Sequence, residues 1–461
     1  MTSPETPELA KGETIRLTVE RMAHGGEGIA HAADGRTIFV AGAYPGDTVD
    51  AELTQLKKRF GRAQLVDVVE AGPLRVESSC PAAAAGAGCC DFATLDPEAE
   101  LGLKAEVMLD QLRRLGKLTD LPDPQLIDVQ PRRGWRTRVR LGVDAQGRAG
   151  LRQRGSHDLV TDVACTQLAP GLVDGLVGPG AQRFTPGSEV VAVLDADGVR
   201  HVVETAKPPR GQRVERVERV LEGSGTVRET ADGHDFRFPA TAFWQAHTAA
   251  PDAYAKLVRN WLSVADVDGA YADLPYPDSK RVAWDLYGGV GVFVPALAET
   301  LATTAPGLPA GATSVLDEEL DADIHADPEA PSGPEVTVVS VDYSPAAAKA
   351  RQDALADYDV ELHNDLVEKA IDQLPKPDAI VLDPPRTGAG AEVVERRQRQ
   401  ARALWCTWAA TLRPSRGTWR RGASRATPCA ASPSSTLSRA PIIWRRWHSW
   451  NPPSCISLLR A

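Results

Sequence analysis

The distribution of charge along the chain changes abruptly near residue 395, and this change limits which part of it can form globular domains. The 461-residue chain contains 62 Asp and Glu residues, and none of them follows Glu395. The last 66 residues instead hold 13 Arg, no Lys and six of the ten Trp. The first 395 residues therefore carry 39 basic against 62 acidic residues, a net charge of −23. That part is long enough for roughly two or three domains with full cores.

The basic tail has two interpretations. It could bind nucleic acid through its arginines, although the stretch "WRRWHSW" is unlike a solvated tail. Alternatively, a GC-rich gene read in the wrong frame yields Arg, Ala, Pro, Ser and Trp together. With permitted codons read two nucleotides on, "ALWCTWAATLRPSRGTWRR" becomes A-V-V-Y-V-G-C-D-P-A-A-L-A-R-D-L-A-T, and "SSTLSRAPIIWRRWHSWNP" becomes F-D-A-F-P-R-T-H-H-M-E-T-V-A-L-L-E-P. These out-of-frame strings regain strand patterns and acidic residues. We therefore predict a slip between Glu395 and Arg399.

The chain lacks the signals of a membrane or secreted protein. It has no run of about 18 apolar residues, and its N-terminus lacks a basic-then-apolar pattern. We therefore expect a cytoplasmic protein. The acidic segment "TTAPGLPAGATSVLDEELDADIHADPEAPSGPE" is expected to be a disordered insertion, and it accounts for part of the negative charge.

Two apolar runs in the last third of the in-frame chain predict neighbouring buried strands. "VAWDLYGGVGVF" predicts a strand that ends in Asp285, followed by a glycine-rich turn and a helix. Gly288, Gly289 and Gly291 would let the backbone approach a ligand closely, and a dinucleotide would fit such a turn equally well. "VTVVSVDYSPAAAKARQDA" predicts a second strand that ends in Asp342. Its carboxylate could accept hydrogen bonds from ribose hydroxyls or cap the following helix.

The stretch "DAIVLDPPRTGAG" is the most specific in-frame motif. An apolar strand would deliver Asp383 to the top of the sheet, and two prolines would stiffen the turn. Together with the out-of-frame C-D-P and F-P-x-T-x-H-x-E motifs, the D-P-P-R-x-G motif resembles the class I RNA uracil-C5 methyltransferases that carry an N-terminal TRAM domain. Arg386 argues against N-methylation, because enzymes that methylate amines have related D-P-P-Y or N-P-P-Y turns.

This resemblance implies a multidomain fold with an α/β Rossmann-like catalytic domain. The short alternating strands near the N-terminus are typical of a small β-barrel, as in the oligonucleotide-binding-like TRAM domain. The predicted divisions are a TRAM-like RNA-binding barrel at 8–70, a central mainly β domain at 75–235, a methyltransferase domain at 236–395 and an out-of-frame tail at 396–461.

The stretch "KKRFGR", Lys57 to Arg62, places an aromatic ring among cations. Such a stretch suits RNA phosphates and bases, and it is also typical of a solvated turn. The TRAM resemblance favours RNA, and transfer and ribosomal RNA are both substrates in such families. We expect the protein to act as a monomer.

The resemblance also implies S-adenosylmethionine as the cofactor. Its glycine-rich D-L-Y-x-G-x-G-x-F motif is matched here except that Gly288 stands where Cys is common. The expected cofactor-binding residues, which include the Gln of an F-x-Q element in "FPATAFWQAH", are Gln245, Tyr287, Asp342, Asp365 and Asp383.

Four cysteines precede the predicted slip: Cys80, Cys89, Cys90 and Cys165. The resemblance implies a [4Fe–4S] cluster bound by four such thiolates. The family's C-x5-C-x2-C spacing is absent, since Cys89 abuts Cys90, so buried thiols without a cluster are the alternative.

The chemistry of the family requires side chains that the printed tail lacks. A thiolate adds at uracil C6, C5 then takes the methyl group, and a carboxylate removes the C5 proton while the thiol is expelled from C6. In the out-of-frame strings that Cys straddles Ala409 and Ala410, and that Glu straddles Trp444 and Arg445. Cys406 is close in sequence, but a nucleophile must be placed within about 0.5 Å, so we do not expect it to substitute. We predict no catalytic residue in the printed tail and an inactive chain.

Two further expectations follow. A poorly packed tail would leave the strand before Asp383 as an exposed edge. Two other functions stay open: a non-catalytic RNA-binding protein, and a small-molecule methyltransferase that ignores RNA.

Overall fold

The computed structural model describes most of the chain up to residue 393 and three short segments of the tail. The acidic insertion, apart from its two end residues, and Arg386 lie outside the described residues. No helix in the described part has the length and hydrophobicity of a membrane span. The described residues are 9–119, 121, 123–206, 217–267, 280–303, 335–343, 352–385, 388–390, 392–393, 404–407, 442–444 and 456–460.

The N-terminal part is a six-stranded sheet curved around one core. Alternate residues of its long strands face inward, as in the run Val49, Ala51 and Leu53, because side chains of a strand alternate between faces. The sheet order is β1-β5-β6-β4-β3-β2, in which only β4 and β6 pair in parallel. The strands are β1 (Thr14–Thr18), β2 (Arg21–Met22), β3 (Glu27–His31), β4 (Thr37–Ala41), β5 (Thr48–Leu56) and β6 (Phe60–Glu70).

A buried ion pair ties this barrel to the chain that follows it. Asp47 is fully buried and accepts hydrogen bonds from the backbone N–H groups of Tyr44 (2.7 Å) and Gly72 (2.9 Å). Arg75 donates to the same carboxylate through Nη2 at 2.6 Å. Burial opposes ionisation, but these hydrogen bonds outweigh it and lower the pKa of Asp47.

The central part is mainly β and contains a second six-stranded sheet. Its order is β10-β9-β8-β11-β12-β13, with every pair antiparallel, and β14 and β15 form a separate hairpin. The elements are α1 (Pro81–Ala84), α2 (Glu100–Arg114), β7 (Pro124–Asp128), β8 (Arg138–Val143), β9 (Ala149–Arg152), β10 (Leu159–Val160), β11 (Glu189–Leu194), β12 (Arg200–Ala206), β13 (Val217–Glu222), β14 (Thr226–Ala231) and β15 (His234–Pro239).

The third part is a parallel sheet with helices on both faces. The order β18-β17-β16-β19-β20 reverses beside β16, which is the arrangement of doubly wound α/β folds. Ala283 faces the core shared with α3 and α4, whereas the next residue, Trp284, faces α5. The predicted Rossmann-like fold is therefore confirmed. Its elements are α3 (Ala250–Val267), β16 (Arg281–Leu286), α4 (Val294–Thr303), β17 (Val336–Val341), a 3₁₀ turn (Asp353–Leu355), β18 (Asp359–His363), α5 (Val367–Ala370) and β19 (Ala379–Leu382).

Three short strands lie in the basic tail. They are β20 (Leu404–Thr407), β21 (Ile442–Trp444) and β22 (Ile456–Arg460). β20 pairs in parallel with β19, and β22 pairs with β7 and β21. The expectation that β19 would form an exposed edge is wrong, because β20 covers that edge. A short apolar run can pair in this way because strand pairing uses backbone donors and acceptors. The remainder of the tail lies outside the described residues.

Removal of the Asp47 carboxylate should destabilise the barrel. Asp47→Ala leaves the Arg75 guanidinium buried without its partner, so we expect the free energy of unfolding to fall by about 3 kcal/mol. Because the pKa of Asp47 is lowered in the folded state, its stabilising effect should be lost as the pH falls through the acid range. Urea unfolding tests this, with Asp50→Ala, which removes an exposed partner of Arg16, as a control that changes stability little. Equal effects of the two substitutions would contradict the assignment.

Candidate functional site

The carboxyl edge of the parallel sheet collects most of the predicted cofactor residues. Tyr287 follows β16, Asp342 follows β17, Asp365 lies just beyond β18, and Asp383 follows β19. Because all four strands run in the same direction, these residues emerge at one edge, where doubly wound folds bind their ligands.

The glycine-rich turn after β16 has an unusual backbone. Tyr287 adopts φ = +64°, Gly289 +61° and Gly291 +85°, in the left-handed region that side chains disfavour. The N–H of Gly289 donates to Asp342 Oδ2 at 3.0 Å. A Cβ at Gly288 would overlap Asp285 Oδ2 and the Ser340 hydroxyl. This chain therefore requires Gly at 288, the position where Cys is common in the family motif.

Asp285 lies beneath this turn and is completely buried. Ser340 Oγ donates to its Oδ2 at 3.2 Å, whereas Oδ1 has no hydrogen-bond partner among the described residues. Burial raises the pKa of Asp285 to about 7, and the nearby carboxylates of Asp342 and Asp383 add to the rise. Sequence reasoning placed Asp285 at the end of a strand but gave it no role. Its position directly before the glycine turn was the available signal.

Hydrogen bonds fix the other residues of the edge. Tyr287 donates its hydroxyl hydrogen to Glu368 Oε1 at 3.2 Å, and burial together with that carboxylate raises its pKa. The N–H of Asp383 donates to Leu286 O at 3.2 Å. Asp365 is exposed and accepts from the N–H of Leu366 at 2.7 Å. The edge therefore presents one aromatic ring and several carboxylates around a glycine-rich turn.

Gln245 lies on the segment between β15 and α3. It lines a cavity of about 400 Å³ together with Cys89, Cys90 and Arg136. The backbone of this segment pairs with the strand-like residues before β8, where Thr137 N donates to Ala246 O at 2.9 Å. The described contacts thus join Gln245 to the cysteine region.

The structure brings the four cysteines together. Their Sγ atoms all lie within 4.8 Å of one another, and Cys80, Cys90 and Cys165 are buried. A turn at residues 88–89 allows the adjacent Cys89 and Cys90 to face one centre. Hydrogen bonds within the set, the strongest with Cys165, lower the pKa of Cys80 and raise those of Cys89 and Cys90.

The "KKRFGR" stretch forms the turn between β5 and β6. Lys57, Lys58 and Arg59 are exposed there, and Lys57 N donates to Phe60 O at 2.8 Å. Arg62 differs, because it pairs with Glu27 and lies over the Phe39 ring. Lys57, Lys58 and Arg59 have no recorded ion pair among the described residues and are exposed to solvent, which suits a polyanionic partner.

Comparisons with known proteins agree with this architecture. Residues 8–66 match the TRAM domain. The chain is 52% identical over 395 residues to an uncharacterized RNA methyltransferase of Corynebacterium efficiens, which covers 86% of this chain and 84% of that protein. It is 48% identical over 396 residues to one of Corynebacterium glutamicum, covering 85% of each.

Two further matches are more distant or shorter. The crystal structure of Pyrococcus abyssi tRNA (uracil-54, C5)-methyltransferase with S-adenosyl-L-homocysteine superimposes with a TM-score of 0.57 at 15% identity, covering 89% of this chain and 93% of that one. The 23S rRNA (uracil(1939)-C(5))-methyltransferase RlmD of Methylococcus capsulatus is 38% identical over 166 residues, covering 35% of this chain and 37% of that protein.

The corynebacterial relatives and the TRAM match together identify the chain as a methyltransferase with an N-terminal TRAM domain. On its similarity to the corynebacterial proteins, the chain belongs to the RNA methyltransferases.

Neutralising Asp285 should make the protein more stable at alkaline pH. Since its folded pKa of about 7 lies above its unfolded value, the stability that the protonated carboxyl gives is lost as the pH rises through about 7. Asp285→Asn should therefore raise the free energy of unfolding at pH 8 by up to about 4 kcal/mol and by much less at pH 5. Thermal unfolding at both pH values tests this, with the exposed Asp365→Asn as the control. A variant whose pH profile follows that of the wild type would contradict it.

Proposed function

We propose that this protein uses S-adenosylmethionine to form 5-methyluridine in transfer or ribosomal RNA. The observation that carries the proposal is the position of Asp383, from the D-P-P-R-x-G motif, at the same sheet edge as the glycine-rich turn. The short match to the 23S rRNA uracil-C5 enzyme supports uracil C5 as the target atom. RNA and the cofactor both occur in the cytoplasm, so we propose that the protein acts there. We also propose that it acts as a monomer.

The carboxyl edge fits S-adenosylmethionine. Gly288 has no room for a side chain, and Asp285 Oδ1 is a buried acceptor without a hydrogen-bond partner among the described residues. When bound, the cofactor supplies an electrophilic methyl group. In this proposal Asp342 accepts hydrogen bonds from the ribose hydroxyls and Tyr287 flanks the cofactor. Asp365 would serve the adenine end, Asp383 would face the substrate, and Gln245 would approach from the cavity side.

The same proposal requires an attacking cysteine and a carboxylate base, which the printed tail lacks. We propose that a reading-frame slip between Glu395 and Arg399 removed both. The change in composition after Glu395 supports this. The alignments with the corynebacterial proteins span 395 and 396 residues. About a seventh of each chain is left unmatched.

Restoring the frame should restore catalysis. We expect transfer of labelled methyl groups to uridine-containing RNA by a chain with the corrected frame and no detectable transfer by the 461-residue chain, because only the former has the thiolate that activates C5. The corrected chain with its attacking cysteine replaced by alanine is the matched control. DNA sequence through codons 390–400 provides an independent check.

The outcomes separate the two proposals. Methylation by the 461-residue chain, or an uninterrupted frame in the gene, would contradict the slip. A corrected chain that binds S-adenosylmethionine and leaves uridine unmethylated would contradict the proposed activity.

The exposed cations of the β5–β6 turn should contribute to RNA affinity. Replacing Lys57, Lys58 and Arg59 by alanine should weaken binding about tenfold at moderate salt and lower the slope of log Kd against log salt by about 2, because fewer counterions are released from the RNA. Filter binding at several salt concentrations measures both. Arg16→Ala is the control, since Arg16 is already paired with Asp50 on the same barrel. An unchanged salt slope in the triple variant would mean that this turn is only a solvated surface.

A further inference from the structure

The four-cysteine set has a geometry that can be compared with the two kinds of centre that thiolates hold. Cys80 Sγ lies 3.8 Å from Cys89 Sγ, and Cys90 Sγ lies 3.3 Å from Cys165 Sγ. No pair of the four sulfurs is more than 4.8 Å apart. The four sulfurs therefore enclose a small space.

The space between the four sulfurs has the size that one metal ion needs. A point equidistant from four sulfurs 4.8 Å apart lies about 2.9 Å from each, and this upper limit exceeds the metal–sulfur bond of about 2.3 Å in tetrahedral zinc sites. Four ligands at that bond length are about 3.8 Å apart, within the observed range. A [4Fe–4S] cube binds each thiolate to a different iron, so four irons and four sulfides would have to fit between the sulfurs. The cysteines do not fit a cube at these separations.

We infer that the four cysteines hold a single tetrahedrally coordinated metal ion, zinc or iron, and not an iron–sulfur cube. The departure from the C-x5-C-x2-C spacing also favours a single ion. Cys89 and Cys90 are adjacent, and the turn at residues 88–89 draws both toward one point.

The charge around the site suits a tetrathiolate ion. Four thiolates around a divalent ion carry a net charge of about −2, which requires a nearby cation when it is buried. Arg136 is half-buried over the Trp135 ring, 4.7 Å from its centroid, and lines the same cavity as Cys89 and Cys90. Among the described residues, Arg136 has no recorded ion pair with a carboxylate. The guanidinium is thus available to balance the charge of the metal centre.

The ion would also organise the chain around Gln245. Gln167 N donates to Cys165 Sγ at 3.4 Å, and Arg136 N donates to Gln167 O at 2.8 Å. On the other side of this segment, Thr248 N donates to Trp135 O at 3.0 Å. The loop that carries Cys165 is therefore separated from the Gln245 segment by a single stretch of extended backbone.

Metal analysis of the protein purified without oxygen tests the inference. We expect one equivalent of zinc or iron per chain and no acid-labile sulfide, by elemental analysis and native mass spectrometry. Replacement by Co²⁺ should give the visible absorption of a tetrahedral thiolate complex. Four irons with four labile sulfides per chain would overturn the inference. So would a metal-free protein with disulfides Cys80–Cys89 and Cys90–Cys165.

Substitutions assign the ligands independently of activity. Cys165→Ser and Cys89→Ser should each lower the bound metal at least tenfold, because a tetrahedral site with three thiolates binds weakly. Cys429→Ser changes a cysteine outside the set and should keep one equivalent. If a ligand variant does not fold, the stoichiometry and the Co²⁺ spectrum of the wild-type chain still decide between one ion and a cube. Retention of a full equivalent by folded Cys165→Ser would contradict the assignment.

Discussion

The parallel pairing of β16 with β17 and β19 is the constraint on which the candidate cofactor site depends. Asp285 pairs in register with Ser340 and Val381, so the ends of three strands fall at one level. That level determines where Tyr287, Asp342 and Asp383 leave the sheet. The same pairing buries the Asp285 carboxylate without a charged partner and raises its pKa. The pairing of these three strands therefore both forms the candidate cofactor site and buries the destabilising Asp285 carboxyl.

A second dependence runs through the backbone before β8. Residues 134–137 hydrogen-bond to the loop after Cys165 on one side and to the segment that follows Gln245 on the other. Trp135 stacks on His247 at 5.1 Å between ring centroids, which adds side-chain contact to the backbone pairing. Residues 134–137 thus connect the four cysteines to the F-x-Q element, although more than 75 residues separate Cys165 from that element in sequence.

The sequence predicted the parts of the site that depend on local pattern. Apolar runs ending in an acid located Asp342 and Asp383, because a buried strand and its end can be recognised from a few neighbouring residues. The demand for Gly at 288 could not be predicted, since it comes from Asp285 and Ser340 on two strands. The position of Gln245 depends on the packing of three distant segments. The pairing of β20 was missed for another reason: the unusual composition of the tail dominated the interpretation, whereas strand pairing uses backbone groups that every non-proline residue has.

A change of reading frame affects strand pairing and catalysis differently. A strand needs only a short apolar run in extended conformation, and "LWCT" provides one beside β19 although its side chains differ from those that the family motif requires. Catalysis needs one thiolate and one carboxylate at defined positions, and a shifted frame has no means of preserving them. The described sheet has its fifth strand, and the carboxyl edge formed by residues before 395 is intact. In the proposed function, binding of S-adenosylmethionine and RNA therefore depends on the in-frame residues, and methyl transfer depends on two side chains that follow them. After residue 395 many sequences can form the pairing strand, whereas methyl transfer requires one particular thiolate and one particular carboxylate.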